Sequence, residues 1–233
     1  MPAPYDVTRD ELAVMVREFD GRGLQVCIHA QGDRAIEAVL DTYSAVLSGS
    51  QGNPLRHRIE HGGSLFAPLA AQAAALGIAV AAQPGMLSVL GDGFAEALPE
   101  RSDELFAYAS WRRAGIRVAG SSDAPVITAD PLVGIRDAVL RRTASGRVLG
   151  PGERLAVRDA LALYTTEAAF AMHRERDLGS LEQGKLADFV VVDRSPLGVE
   201  PGQIADIRVL ETVVGGQSAF HADDSPLALG SRR

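Results

Sequence analysis

Short apolar segments alternate with helical patterns along the chain, and this alternation is the feature that most constrains its fold. Four segments of strand length, each followed by a helical pattern, cover residues 24–30, 57–62, 78–83 and 116–120. Apolar strands separated by helices are typical of βαβ units, in which parallel strands pair and the helices cover the outside of the sheet. The sequence therefore predicts an α/β fold with a four-stranded parallel sheet, and the strand at 24–30 is expected to be buried on both faces.

The helices are predicted from apolar residues at helical spacing and from signals at their ends. Thr8 can cap a first helix that closes near Gly21, and Asp130 followed by Pro131 opens a later one. Further helical patterns cover residues 33–47, 67–76, 103–114, 131–142 and 157–172. Residues 85–101 form the longest segment without a regular pattern, and we expect this segment to cover a site.

The last part of the chain differs from the rest. Residues 185–193 and 209–220 have the composition of strands, and no crossover helix follows either of them. We therefore predict two parts, a βα part over residues 1–178 and a small antiparallel β segment over residues 179–233.

Composition excludes several classes of function. The 233 residues include 23 basic and 30 acidic side chains, a net charge of −7, without a basic run that could follow a nucleic-acid backbone. No apolar run approaches the roughly 18 residues of a membrane span. The single cysteine, Cys27, lies in an apolar run and has no intramolecular disulfide partner, which favours a reduced, cytoplasmic location.

The candidate chemistry lies at the ends of the predicted strands, where reactive groups collect in parallel α/β sheets. His29 ends the first strand, His61 the second, and Asp123 follows the fourth. Two neutral imidazoles and a carboxylate suit zinc and neighbouring divalent ions. His57 lies roughly 13 Å before His61 along its strand, too far to share that ion.

Each residue also has an ordinary structural interpretation. A histidine on a strand is more often a hydrogen-bonded core residue than a metal ligand, and Asp123 before Ala124-Pro125 could simply open a turn. The segment 120–124 narrowly misses the G-x-S-x-G pattern of a serine nucleophile, and no nucleotide-binding glycine motif occurs. The agreement of all three strand ends favours the functional interpretation.

Several motifs together resemble one known family. Residues 29–35 read HAQGDRA, residues 56–62 RHRIEHG, residues 83–84 QP and residues 120–126 GSSDAPV, while residues 179–188 read GSLEQGKLAD. This combination resembles the YtcJ-like branch of the amidohydrolase superfamily, family 3, over nearly the whole chain.

The resemblance implies a fold and an activity. The fold would be the last four βα units of a distorted (β/α)₈ TIM barrel with a small C-terminal β-sandwich segment. His29, His61 and Asp123 would bind one or two divalent ions, with Zn²⁺ expected, and Asp123 would also be the catalytic proton shuttle. The reaction would be hydrolysis of carbon–nitrogen bonds in non-peptide or cyclic amides, or of ester bonds, by a metal-activated water.

One departure from the family pattern sets a second expectation. The His-x-His motif that the family carries after its first strand does not occur in this sequence. A half barrel would expose the inner face and both edges of its sheet, so the partners expected besides a small-molecule substrate are a second copy of the chain or a complementing N-terminal half. The alternative function is an inactive amidohydrolase fragment or interaction module.

Overall fold

A four-stranded parallel sheet forms the centre of the fold in a computed structural model that describes residues 7–223. The strands pair in chain order, β1 to β4: Cys27–Ala30, Arg58–His61, Ala79–Ala82 and Val118–Gly120. Every pairing between them is parallel, as the alternation of strands and helices predicted. β1 is shorter than the predicted segment 24–30, since its first residue paired with β2 is Cys27.

Eight α-helices lie in the described part of the chain. They are α1 to α8: Arg9–Gly21, Asp33–Leu47, Ala67–Leu76, Met86–Ala97, Tyr108–Arg113, Pro131–Leu140, Val157–Leu163 and Thr166–Ala171. Both predicted caps form: the backbone N–H of Glu11 donates to Thr8, and that of Leu132 donates to the Asp130 carboxylate. None of these helices has the length and apolar character needed to cross a membrane.

The prediction that residues 85–101 are irregular is wrong. α4 covers Met86–Ala97, and a 3₁₀ helix follows at Pro99–Glu104. The sequence pattern did not predict this helix because Gly91 lies within it and glycine is a poor helix former. Here it allows close packing, because a Cβ at Gly91 would lie 2.8 Å from the Thr143 side chain.

Two predicted helices have different bounds. The helix expected over 103–114 begins only at Tyr108, because Phe106 has a φ of 50° and its backbone N–H donates to Gly63. The helix expected over 157–172 is broken at Thr165, whose φ of −124° and ψ of −94° are not helical. The pattern at these positions was helical, but local backbone geometry set by tertiary contacts prevailed.

The core lies between the parallel sheet and its helices. Ile59, Val80 and Val118 face α-helices from three strands and are at most 1% exposed. The expectation that the first strand is buried on both faces is wrong, because Cys27 and His29 are exposed. The described residues cover only one face of β1.

A second, antiparallel sheet follows the βα part. Its strands are β5 to β7, in sheet order: Phe189–Val192, Val209–Val214 and Gln217–His221. The single strand predicted over 209–220 is in fact a hairpin, since Gly215 and Gly216 both have positive φ, as a tight primed turn requires. A 3₁₀ helix, Pro201–Asp206, lies between β5 and β6 in the sequence and packs against α6, so it holds the antiparallel sheet to the βα part. Residues 224–233 of the predicted β segment and residues 1–6 of the predicted βα part lie outside the described residues.

Candidate metal centre

His29 and His61 meet at the carboxyl ends of β1 and β2. Nδ1 of His29 lies 2.7 Å from Nε2 of His61, and the ring centroids are 4.4 Å apart at an angle of 73°. The strand register pairs His29 with Glu60 rather than with His61, so regular strands would carry the two histidines on opposite faces. His61 departs from strand geometry with a φ of 75°, which brings its ring to His29. Backbone strain of this kind costs about 1–3 kcal/mol and clusters at functional sites.

A chain of hydrogen bonds continues from His61 across the other two strand ends. His61 Nδ1 lies 2.7 Å from Oε1 of Gln83, which follows β3. The Gln83 amide nitrogen donates to Oγ of Ser121 after β4, at 2.9 Å. Each of the four parallel strands therefore contributes one polar side chain to the same edge of the sheet.

Asp123 lies beyond this chain of hydrogen bonds. It is exposed, has a φ of 54°, and its carbonyl accepts from the backbone N–H of Val126 at 2.8 Å, which closes a turn. Among residues 7–223 no group of three histidine, cysteine or acidic side chains is close enough to bind one ion. The structure thus brings two of the three predicted ligands together and leaves Asp123 apart from them.

The histidine pair fits a divalent ion of the zinc type. Zinc binds imidazole nitrogens at about 2.0–2.1 Å in tetrahedral geometry, which requires the two nitrogens to move apart by about 0.6 Å. A movement of this size needs only small rotations of the two rings. His61 is 7% exposed and His29 is exposed, so the pair lies at the surface of the sheet edge with one side open to solvent.

Charged and thiol groups lie beside the pair on the same face as His29. Arg58 and Glu60 form an ion pair of 2.7 Å, with both side chains about one quarter exposed or less, as expected for charges that lie partly out of water. Cys27 lies on β1, in register with Arg58 of β2. Loss of hydration is the main cause that raises the pKa of its thiol, Glu60 raises it further, and the positive charge of Arg58 opposes this.

His57 has a structural role. Its Nδ1 accepts from the backbone N–H of Val26, and its Nε2 lies 3.0 Å from an Asp20 carboxylate oxygen. The ring is fully buried and stacks on Tyr43 at a centroid distance of 5.4 Å. These contacts satisfy both ring nitrogens, so His57 is not available as a ligand.

Sequence reasoning assigned no role to Gln83. The residue ends the third strand at the level of His29 and His61, and this position is the signal that could have identified it. Its amide contacts the imidazole that the sequence did select.

The fold and the histidine pair together identify an α/β protein with a candidate metal site at the ends of two neighbouring parallel strands. The sequence pattern described as the Amidohydrolase family matches residues 2–220. The chain belongs to the amidohydrolase family, as its motifs indicated.

Known relatives are much longer than this chain. YtcJ of Bacillus subtilis is 32% identical over 91% of the chain and 40% of its own length, and the N-substituted formamide deformylase of Arthrobacter pascens is 35% identical over 83% and 36%. An uncharacterized metal-dependent hydrolase from Pyrococcus horikoshii has a similar structure, with a TM-score of 0.72 and 27% identity over 84% of this chain and 39% of that one. The chain spans about two fifths of the length of these relatives.

Proposed function

We propose that this chain carries part of the active site of a metal-dependent hydrolase acting on carbon–nitrogen bonds of non-peptide or cyclic amides, or on ester bonds. The observation that carries the proposal is the 2.7 Å contact between His29 and His61 at neighbouring strand ends. Membership of the amidohydrolase family and the similarity to metal-dependent hydrolases of known structure support it.

Each candidate residue receives a role. Nδ1 of His29 and Nε2 of His61 would hold a divalent ion, with Zn²⁺ as the first candidate. A bound cation of this type polarises a carbonyl group and lowers the pKa of water. Asp123, on the turn that follows Ser121, lies apart from the pair in this structure; on this proposal it would join the ligand set when the ion binds, accept the proton of the attacking water and return it to the leaving amine or alcohol.

The substrate proposal follows from one relative. The Arthrobacter pascens protein is named for the deformylation of N-substituted formamides and is 35% identical to the chain where they align. N-substituted formamides are therefore the first amides to test. N-acyl amino acids, cyclic amides and simple esters complete the set.

The parallel sheet needs a partner for this activity. β1 and β4 each pair with one strand only among the described residues, and the face that carries Cys27 and His29 is exposed at β1, whereas Ala79 and Ala81 on the same face of β3 are buried. We propose that the sheet is half of a TIM barrel and that complementing βα units cover this face. The longer relatives have enough additional residues to form such units. The apolar side chains of Met15 and Phe19 on α1 and of Leu24, shortly before β1, are exposed and suit such an interface. A cytoplasmic location and the division at residues 178 and 179 stay predictions.

Metal binding tests the ligand assignment. Zinc bound per chain is measured after dialysis for the unmodified protein and for His29→Ala, His61→Ala and Asp123→Ala. We expect each histidine variant to lose the ion and Asp123→Ala to bind it more weakly. His221→Ala, an exposed histidine on β7, is the matched control and should bind as the unmodified chain does. Equal zinc content in all five proteins would refute the ligand set.

An activity measurement separates the two candidate functions. Hydrolysis of the amide and ester set is followed with and without added zinc, for the chain alone and with complementing βα units supplied from a relative. Turnover that requires zinc and disappears in His61→Ala supports the hydrolase. Zinc binding without turnover under any of these conditions favours the inactive fragment. The observation that supports this second function is that only two of the three proposed ligands, His29 and His61, are in contact.

A further inference from the structure

The side-chain amide of Gln83 has a fixed orientation. Its nitrogen lies 3.0 Å from the backbone carbonyl of Ala81, which can only accept a hydrogen bond, so the NH₂ group must be on that side. The same nitrogen donates to Ser121 Oγ. Gln83 is 1% exposed, so water does not compete for these contacts. Oε1 therefore faces His61 and acts only as an acceptor.

This orientation determines which nitrogen of His61 carries the proton. Nδ1 lies 2.7 Å from the acceptor Oε1 of Gln83, and this contact is a hydrogen bond only if Nδ1 is the donor. A neutral imidazole has one protonated nitrogen, so Nε2 of His61 carries the lone pair. That lone pair faces His29, where a metal ion would bind.

The same reasoning extends to His29. Its Nδ1 lies 2.7 Å from the lone pair on His61 Nε2, so in the metal-free protein Nδ1 of His29 is the donor. A metal ion held by these two nitrogens would take the place of this proton. His29 would then carry its proton on Nε2, whereas His61 would keep its proton on Nδ1.

We propose that Gln83 is a positioning residue that holds His61 in the Nδ1–H tautomer and so presents Nε2 as a ready ligand. This inference rests on the proposed function for its purpose, since it names a residue that acts on the metal site through His61. Partners that hold the second nitrogen of a ligating histidine typically change metal affinity by 10- to 100-fold when they are removed. The free side chain of histidine favours the other tautomer, so without Gln83 the lone pair would face away from His29.

Nitrogen NMR of the metal-free chain tests the tautomers directly. Histidine labelled with ¹⁵N gives distinct signals for protonated and unprotonated ring nitrogens, and the signals of His61 and His29 are assigned by their absence in His61→Ala and His29→Ala. We expect both residues to carry the proton on Nδ1. Added zinc should move the proton of His29 to Nε2 and leave His61 unchanged. A His61 protonated on Nε2 in the unmodified protein would overturn the proposal without any Gln83 variant.

Two substitutions of Gln83 test the cause. Gln83→Met keeps the length of the side chain but replaces the amide oxygen with a sulfur that is only a weak acceptor, and should move the proton of His61 to Nε2 and weaken zinc binding by 10- to 100-fold. Gln83→Glu retains an acceptor and should keep the Nδ1–H tautomer. Gln25→Met makes the same change at the opposite end of the sheet, where Gln25 donates to the carbonyls of Arg56 and Ala171, and should leave both readouts unchanged.

The outcomes separate this inference from the proposed function. If His61→Ala abolishes zinc binding but Gln83→Met changes neither tautomer nor affinity, Gln83 has no positioning role and the metal site stands. If Gln83→Met shifts the tautomer while His61→Ala binds zinc normally, the positioning of His61 is supported and the ligand assignment fails.

Discussion

The buried charge of Arg141 is held by backbone groups rather than by an opposite charge. The Arg141 side chain is fully buried and donates to the carbonyls of Leu105, Phe106 and Leu149 at 2.6–2.7 Å. Burial lowers the pKa of its guanidinium. The three carbonyls belong to irregular segments, and only that of Phe106 has a second donor, the backbone N–H of Tyr108, so Arg141 supplies hydrogen bonds that a strand or helix would otherwise provide.

Replacing Arg141 should be strongly destabilising. Arg141→Met leaves the buried carbonyls of Leu105 and Leu149 without a donor, and each costs about 1–3 kcal/mol, so we expect a loss of about 2 kcal/mol or more in the free energy of unfolding. Urea denaturation measures it. Arg142→Met, the exposed neighbour, is the control and should change stability by less than about 0.5 kcal/mol. Similar losses for the two variants would contradict the role given to Arg141.

The Arg56–Glu175 pair makes a prediction about acid stability. The hydrogen bond from Arg56 is the main cause that lowers the pKa of Glu175 to about 2, from an ordinary value of 4.5. The folded state therefore favours the charged carboxylate. The stabilisation from this pair is complete above pH 4.5 and is lost as the pH falls towards 2.

Thermal unfolding of Glu175→Gln between pH 2 and 7 checks this sign. The variant should have a Tm about 1–3 °C lower than the unmodified chain near neutral pH, since the pair is partly exposed, and the two curves should converge towards pH 2. Glu96→Gln controls for the loss of one exposed carboxylate. A gap that widens as the pH falls would be the opposite of what the pair predicts.

At the scale of elements, the helices are placed by close contacts that only glycine permits. Tyr164, between α7 and α8, lies against Gly120 of β4 and Gly134 of α6. A Cβ at Gly134 would lie 1.8 Å from the tyrosine oxygen, and one at Gly120 would lie 2.7 Å from its ring. The two glycines therefore allow the α7–α8 junction to sit on the sheet and α6 together.

A paired substitution tests this packing. Gly134→Ala should cost about 1–3 kcal/mol in the free energy of unfolding, because the tyrosine ring or α6 must move. Gly93→Ala in α4 meets no atom within 4 Å and should stabilise the chain by about 0.5–1 kcal/mol through its higher helix propensity. The midpoints of urea unfolding give both values. The packing argument fails if the two alanines have effects of the same sign and size.

The sequence predicted the order of elements well because periodicity and end signals are local. Thr8 and Asp130 cap helices as expected, since each cap depends on residues within three positions. The helix that contains Gly91 and the helix break near Tyr164 were not predicted. Gly91 is explained by its packing against Thr143, and the position of Tyr164 by its packing against Gly134; both partners are distant in sequence.

The candidate site was likewise predicted only in part. His29 and His61 could be selected from their strand ends, but their contact depends on the positive φ of His61, which strict strand alternation does not predict. The orienting amide of Gln83 is visible only when β2, β3 and β4 lie side by side. Sequence thus identifies residues at one edge, and only the fold specifies which atoms meet.

At the scale of the whole molecule, the exposed part of the parallel sheet, at β1, carries the only cysteine of the chain. Cys27 is exposed, and its pKa lies above the ordinary value of 9.0, mainly because neighbouring groups reduce its hydration. One thiol per chain should react with a thiol-specific reagent, and the rate should continue to rise above pH 9 because the thiolate forms late.

Protection of this thiol reports coverage of the face. Adding complementing βα units should slow the modification of Cys27, whereas the chain alone should react fully and have the mass of a monomer in light scattering. Cys27→Ser, which cannot react, sets the background. A thiol already protected in a dimer of the chain would mean that a second copy, and not a complementing half, covers the sheet.

X-ray absorption spectroscopy of the zinc-loaded chain measures whether His29 and His61 bind one metal ion. We expect two imidazole ligands at about 2.0–2.1 Å. One imidazole should remain in His29→Ala or in His61→Ala, provided that zinc is retained at high concentration. A zinc environment without imidazole, or one that is the same in both variants as in the unmodified chain, would contradict this expectation.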